Sequence, residues 1–451
     1  MLEVIASVNR AVWGIPALLM ILVVGCYLSF QTSFAQIRMF PEALQNFLRR
    51  FKKRDTSNGF SSYQALCTAL SATVGTGNIA GVAGAIAIGG PGAIFWMWVC
   101  SLLGMVTKYA EATLAVRYQK KNSAGEYVGG PMYMIKMTMP KFSWLAAVYC
   151  FFGVVAAFGV GNATQINAVI GGVNSVISYF GYSSHSYINL LIGLLFSVLI
   201  LFMLLGGARR IGTIAERLMP YAAVGYLLLC CIVLIGRIQM IPGAFFQIIC
   251  CAFAPKAVTG GVIGSAFTAL RIGASRGVFT NEAGMGTASI AHAASNVEHP
   301  VEQGLMGIME VFLDTIVICT MTALVILCSG VPISYGNDTG VLLTTQAFSS
   351  VLGSWVCIPI TVFLCCFALA TVLGWGLYGI RCAQYLFGEN TWKSFVYLQA
   401  VIAVVSAILG TGTIWMIAET INGLMAIPNL VVLAYLAPEL SLLTKQYKNR
   451  V

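Results

Sequence analysis

Charge is what this chain has least of. Only 9% of its 451 residues are Asp, Glu, Lys or Arg, against about 25% in soluble domains, and its mean hydropathy is +0.86. That shortage excludes an ordinary soluble protein. It implies an all-α polytopic membrane protein, because a helix satisfies its own backbone polar groups where lipid offers no partner. Histidine is scarce too, at three residues. The fourteen cysteines form no CxxC pair and no Cys/His cluster, and several are neighbours inside apolar runs (Cys230-Cys231, Cys250-Cys251, Cys365-Cys366). Metal-centre and disulfide roles therefore fall away, leaving small apolar filler. An enzyme would need a convergent nucleophile, base or metal set, and none is visible. The opening Met-Leu-Glu-Val-Ile-Ala lacks the basic region of a cleaved signal, so the first apolar run is expected to be a retained span.

Eleven spans are expected: Ala11–Phe30, Tyr63–Ile88, Ala93–Val116, Phe142–Ile177, Ile188–Leu205, Leu218–Ile235, Ala257–Ala294 with a possible leading stretch from Phe245, Gly304–Cys328, Trp355–Leu377 extending toward Phe387, Phe395–Leu409 and Ile414–Ala437. Nineteen of the 25 Lys and Arg residues fall in alternate connections and the C-terminal tail. The positive-inside rule then puts the C-terminus in the cytoplasm and the N-terminus outside. The net charge of +10 is thus topogenic. It faces the lipid bilayer, which argues against a nucleic-acid partner.

The second span carries the strongest local signal. Its middle reads Ser71-Ala-Thr-Val-Gly-Thr-Gly-Asn78. Each interior Gly weakens a helix by about 1 kcal/mol relative to Ala, and the β-branched neighbours add to that. Two half-helices joined by a few extended residues are expected. The first half would expose carbonyls suited to a small cation, and the second would expose N–H groups suited to a carboxylate. The competing reading is a Gly-rich helix packed closely on its neighbour. The seventh span holds a second interruption, Arg271-Ile-Gly-Ala-Ser-Arg-Gly-Val-Phe-Thr-Asn-Glu-Ala-Gly-Met-Gly286. With span one set aside, spans two to six and seven to eleven have opposite polarity and each set starts with a broken helix. That is an inverted repeat of transporter type, with its site near the membrane midplane. The expected divisions are 1–62 (an extra N-terminal helix and basic loop), 63–242 and 243–440 (the two five-helix repeats) and 441–451 (a cytoplasmic tail).

Several stretches together resemble the sodium:alanine symporters, the alanine or glycine:cation symporter family. They are Gly-Thr-Gly-Asn-Ile-Ala-Gly-Val-Ala (75–83), Gly-Gly-Pro-Gly-Ala-Ile-Phe-Trp-Met-Trp (89–98), Lys108-Tyr-Ala-Glu111, Gly-Gly-Pro-Met-Tyr (129–133), Asn-Glu-Ala-Gly (281–284), Ala-His-Ala-Ala (291–294) and Leu373-Gly-Trp-Gly. The resemblance covers nearly the whole chain. It implies the leucine-transporter-type five-plus-five inverted-repeat fold with one extra N-terminal helix. It also implies uptake of a small neutral amino acid, alanine (L or D) or glycine, coupled to sodium. A proton-coupled permease on the same fold is the alternative, with Glu282 its best candidate.

By the same resemblance, Gly75 and Asn78 match the segment that binds the substrate carboxylate, with Thr73 beside them. Gln165 in Gly161-Asn-Ala-Thr-Gln-Ile-Asn167 lies in the pocket, while Asn162 and Asn167 are structural. Thr371 and Trp375, four apart on one helix face, line the pocket, and Trp375 limits the side chain to about a methyl group. Bland alternatives remain for each: Asn78 as a helix cap, Thr73 and Thr76 as helix-bonded hydroxyls, Trp375 as an interfacial anchor. Sodium is expected at oxygens near Ser71, Val74 and Thr371, since oxygen-only ligation suits a hard cation. Ionisable residues at membrane depth are functional candidates by default. Glu282 is then a gate or a partner of Arg276 or Arg271. Glu310 and Asp314 are expected as solvated pairs with Lys or Arg, His292 as packed, and Glu419 as buried or paired with its role open.

Overall fold

A computed structural model of the chain describes residues 15–52, 60–183, 185–255, 259, 263, 265–337, 340–408 and 411–450. It is almost entirely helical. Among the described residues, seven helices are long and apolar enough to cross a membrane, as expected for a polytopic membrane protein. The first expected span is observed as α1 (Ile15–Gln31), followed by an amphipathic helix α2 (Phe40–Lys52).

The second span is broken as its glycines predict. Helix α3 (Ser62–Thr73) ends, Val74 and Gly75 are extended, Thr76–Asn78 form a 3₁₀ turn, and α4 (Ala80–Gly89) resumes. A complete capping box starts α3: Ser61 accepts the N–H of Gln64, and Gln64 accepts that of Ser61. Helix α5 (Gly92–Arg117) follows. A two-stranded hairpin (β1 Lys120–Lys121, β2 Tyr127–Val128) and α6 (Pro131–Thr138) then lead to the fourth span. That span is α7 (Trp144–Phe158) and α8 (Thr164–Tyr179), joined by a π-turn over Gly159–Ala163. Wider turns of this kind inside a helix commonly mark functional sites.

Helices α9 (Ser186–Leu204) and α10 (Gly207–Gly236) follow. Leu191, Leu195, Val198 and Phe202 form an exposed apolar stripe along α9, which is a lipid-facing surface. The expected leading stretch of span seven is instead a separate helix, α11 (Ile241–Phe253), because Ala254 leaves helical geometry. The interrupted span itself is α12 (Ala266–Asn281), a break over 282–286, and α13 (Thr287–His292). Glu282, Gly284 and Gly286 all have positive φ there, so the chain reverses its local twist three times in five residues, and two of those positions are glycine.

Helix α14 (Pro300–Val311), a π-turn over Phe312–Cys319 and α15 (Thr320–Cys328) form the eighth span. After a short helix α16 (Val341–Leu352) come α17 (Cys357–Phe387), α18 (Trp392–Ser406) and α19 (Thr411–Lys448). Helix α19 continues well past the expected end at Ala437. It runs to Lys448, so most of the expected tail is helix, and its Glu439 pairs with Arg117 at 3.1 Å.

Close backbone approach holds the bundle around α5. A Cβ on Gly307 would lie 2.8 Å from the Lys108 carbonyl, and one on Gly304 would lie 2.1 Å from Thr113 Oγ1. Small residues at helix crossings supply the packing that drives association in lipid. At the end bearing the basic loops, the hairpin is tied to α17 by Arg381–Glu126 at 2.8 Å and to the next turn by Ser123–Glu389. Those bonds from Ser123 hold the Glu389 carboxyl below its ordinary value.

Candidate functional site

The site grows from the first break. Val74 and Gly75 leave helical geometry, and the Asn78 side chain closes the gap. Its Oδ1 accepts the Gly75 N–H at 2.9 Å. Its Nδ2 donates to Asp314 Oδ1 at 2.6 Å and to the Asp314 carbonyl at 3.2 Å. Asn78 therefore braces the 3₁₀ turn and does not cap α4, whose N-cap position is Ile79. The Gly75 amide, expected to be free, is engaged. The first N–H groups of the 3₁₀ turn, Thr76 and Gly77, lie outside its own ladder by construction.

Two other elements converge on Gly75. Thr371 of α17 approaches so closely that a Cβ on Gly75 would lie 2.6 Å from Thr371 Oγ1, and 3.6 Å from Gln165 Oε1. Gln165, in the first turn of α8 after the π-turn, accepts from Thr76 Oγ1 at 3.1 Å and donates to the Val160 carbonyl at 3.1 Å. Thr371 Oγ1 is buried with no hydrogen-bond partner among the described residues. An unsatisfied buried hydroxyl costs about 1–3 kcal/mol, so this one is a candidate ligand contact. A Cβ on Gly374, one turn further along α17, would meet the Ala72 backbone nitrogen at 2.8 Å, which pins α17 against the end of α3.

The second break lies beside the first. A Cβ on Gly77 would touch Thr280 Cγ2 at 3.3 Å. Asn281 donates to Thr315 Oγ1 at 3.1 Å, and Thr315 Oγ1 donates to Asp314 Oδ2 at 2.8 Å. The π-turn of the eighth span thus presents Asp314 and Thr315 to both interruptions at once. Behind the second break, Glu111 Oε1 accepts the N–H groups of Gly284 and Gly286 and the Asn429 amide at 2.8–3.0 Å.

The remaining expected residues divide. Trp375 is fully buried and donates to Glu282 Oε1 at 2.7 Å. It packs so tightly on the π-turn that a Cβ on Gly161 would lie 2.2 Å from its own Cβ, so it is no interfacial anchor. Glu282 is held by Trp375 and by Thr287 at 2.6 Å, not by Arg271 or Arg276. The Ser71 hydroxyl donates to the Cys67 carbonyl at 2.7 Å, and Thr73 Oγ1 turns back to the Ala69 and Leu70 carbonyls at 3.3 and 3.4 Å. Asn162 donates to the Gln399 carbonyl and Asn167 to the Ala163 carbonyl.

Glu310 and Asp314 are not solvated, because both are fully buried. Glu310 pairs with Lys108 at 2.9 Å and with His292 at 3.0 Å. His292 in turn takes Gln303 at 2.6 Å, and Gln303 meets Ser62. The Glu419 side chain lies outside the described residues. Lys108, Glu111, Asn281 and Thr315 were not expected at the site, yet a Lys and a Glu three residues apart inside an apolar helix are a signal in themselves.

A model of the sodium:alanine symporter family matches residues 1–451. Over 440 residues the chain is 40% identical to the sodium/alanine symporter AgcS of Methanococcus maripaludis, covering 96% of this chain and 94% of that one. It is 33% identical to the probable sodium/glutamine symporter GlnT of Bacillus subtilis, over 99% of this chain and 90% of that one. In structure it is similar to MhsT, solved as a crystal structure with L-phenylalanine. The TM-score is 0.58 at 15% identity, over 87% of this chain and 98% of that chain, a likeness of fold alone.

Proposed function

The chain belongs to the sodium:alanine symporter family, and we propose that it takes up a small neutral amino acid, alanine or glycine, together with sodium. It is a multi-pass membrane transporter by family and by its apolar helices. The reading of its cargo rests on one observation: two broken helices place their interruptions side by side, and Gln165 and the unpartnered Thr371 hydroxyl face the first of them. Interrupted helices at midplane supply backbone groups for both an ion and a zwitterion. In this reading the substrate carboxylate lies against the amides of the first break, and Thr371, with carbonyls near Ser71 and Val74, offers oxygens to sodium. In this reading the chain lies in the cell membrane with its C-terminus in the cytoplasm, an orientation that the distribution of Lys and Arg supports.

Labelled alanine is expected to accumulate in proteoliposomes under an inward sodium gradient and not under an equal potassium gradient. Equal uptake in both would refute sodium coupling. Relatives named for alanine and for glutamine make substrate size the next question, and in this reading Trp375 limits it. Trp375→Phe keeps an aromatic ring on Gly161 but shortens it and loses the bond to Glu282. Glutamine is expected to compete with labelled alanine in this variant at concentrations that leave the parent unaffected. An unchanged competition series would put Trp375 out of reach of the substrate.

A further inference from the structure

A cavity of about 460 Å³ lies at the end bearing the basic loops, a volume in the range of small-ligand sites. Both broken spans and the helix that carries Thr371 contribute to its walls: Phe60 at the foot of α3, Asn296 just past α13, and Arg381 on α17. Arg209 at the start of α10 and Lys121 and Glu126 of the hairpin also line it. A second cavity of about 320 Å³ shares Glu126 and Arg381 and reaches Leu377 on α17, two residues past Trp375.

Two closures lie at this end. The first is among the helices. Gln64 Nε2 donates to Glu216 Oε2 at 3.0 Å, and the Asn296 N–H donates to the Phe60 carbonyl at 3.3 Å. A Cβ on Gly212 would lie 2.6 Å from the Phe60 ring. The second closure is the hairpin. Its turn is braced from within, since Asn122 Oδ1 accepts the N–H groups of Ala124 and Glu126 at 3.0 and 2.9 Å. Its tip is tied down by Arg381–Glu126 and by Ser123–Glu389. The Glu126 side chain is 44% exposed, and an ion pair this wet is a weak one. At the foot of the hairpin, a Cβ on Gly129 would lie 2.6 Å from the Ala293 Cβ. A shift of α13 is therefore passed to the hairpin.

The charges of the first cavity suit an α-amino acid. Arg381, Arg209 and Lys121 are cationic, and Glu126 is anionic. Among the described residues, neither Lys121 nor Arg209 has a carboxylate at ion-pair distance. An amino acid carries one carboxylate and one ammonium, the same two charges that Glu126 and Arg381 offer each other. It can take both partners and leave no charge unpaired.

We propose that this cavity is the release vestibule of the carrier and a second, weaker binding site for the amino acid, with the hairpin as its lid: Arg381 takes the carboxylate and Glu126 the ammonium, so the departing substrate breaks the bond that holds the lid down. This goes beyond the symport reading above and rests on it. The excess of positive charge draws the carboxylate end in first. Uptake then slows as alanine builds up on that side, because the same site takes it back.

The test uses the full chain in inside-out vesicles, which expose the basic end on the positive-inside reading. Ala294→Cys places a thiol in the cavity wall, and its labelling by a membrane-impermeant maleimide is followed by mass spectrometry, which separates it from the fourteen native cysteines. Two variants are made on that background. Glu389→Ala removes the Ser123 tie and leaves the Arg381–Glu126 pair intact; Glu126→Gln removes the pair. Both are expected to speed labelling by about tenfold, as the open state gains population. Only Glu126→Gln also loses a substrate contact. The alanine concentration giving half-maximal transport from the basic end is then expected to be about fivefold higher in Glu126→Gln than in Glu389→Ala, the fold-change of one weakened contact. Half-saturation from the opposite face should stay within about twofold of the parent's in both. The reversed pair Glu126→Arg/Arg381→Glu should restore slow labelling, since the two charges still meet. Labelling unchanged in both single variants overturns the lid and with it the proposal. Equal half-saturation in the two overturns the second site. A lower melting temperature with both faces shifted together makes the hairpin a scaffold and also overturns it. If parent proteoliposomes show no sodium-driven uptake, the symport reading itself falls. If they do and the variants fail as described, only this inference falls.

Discussion

Lys108→Met is expected to lower the stability of the protein by about 3–5 kcal/mol, the usual effect of removing one partner from a buried ion pair. Lys108 and Glu310 are both fully buried and 2.9 Å apart, on helices whose backbones meet at Gly307. Without the ammonium, Glu310 keeps only His292 at 3.0 Å. The carboxylate then stays charged in a poor environment or draws a proton, and either outcome weakens the native state. The double variant Lys108→Met/Glu310→Gln separates charge from shape. The amide introduced in place of the carboxylate still accepts from His292, no net charge remains, and the Met side chain fills the lysine's path. Buried pairs replaced as a unit by uncharged groups are often neutral in stability, so the double variant is expected to be more stable than Lys108→Met alone. Melting temperature and monodisperse yield in detergent are the readouts. Strictly additive losses would show that the two charges do not depend on each other.

That pair also shows where the sequence was informative and where it was not. The breaks were legible because Gly75, Gly77, Gly284 and Gly286 sit inside otherwise apolar runs, where backbone propensity acts locally. Thr371 and Gln165 are assigned to a substrate pocket through resemblance to a family, and the structure brings both to Gly75. The partners of the buried charges were not legible. Glu310 meets a lysine 202 residues earlier and Asn78 meets an aspartate 236 residues later. Neither pairing leaves any trace in local spacing. The expectation of solvated Glu310 and Asp314 failed because their partners come from distant segments: Glu310, in the helix before the π-turn, meets Lys108 and His292, and Asp314, inside the π-turn over Phe312–Cys319, meets Asn78. The engaged state of the Gly75 amide was equally out of reach, because it is set by the rotamer of one asparagine.

Gly75→Ala is expected to reduce transport by about a hundredfold or more, equivalent to some 2.7 kcal/mol of lost binding, while leaving a folded protein. Backbone strain is not the cause. Gly75 has φ −135° and ψ −154°, extended values open to any residue. The cause is contact: the new methyl would lie 2.6 Å from Thr371 Oγ1 and 3.7 Å from Thr371 Cβ. Overpacking of this size typically costs about 1–3 kcal/mol in stability, which a bundle of this extent survives. The displaced groups, however, are the ones argued to hold ion and substrate. Thr371→Ala removes the clashing oxygen and gives the control. If the methyl acts only by displacing Thr371, then Gly75→Ala/Thr371→Ala should transport as well as Thr371→Ala alone, and both should need more sodium than the parent because an unpartnered oxygen has gone. If the double variant stays inactive while Thr371→Ala works, the methyl occupies space that the amino acid itself requires, and Gly75 lies under the substrate. Near-normal uptake by the single Gly75→Ala variant would remove the first break from the binding site altogether.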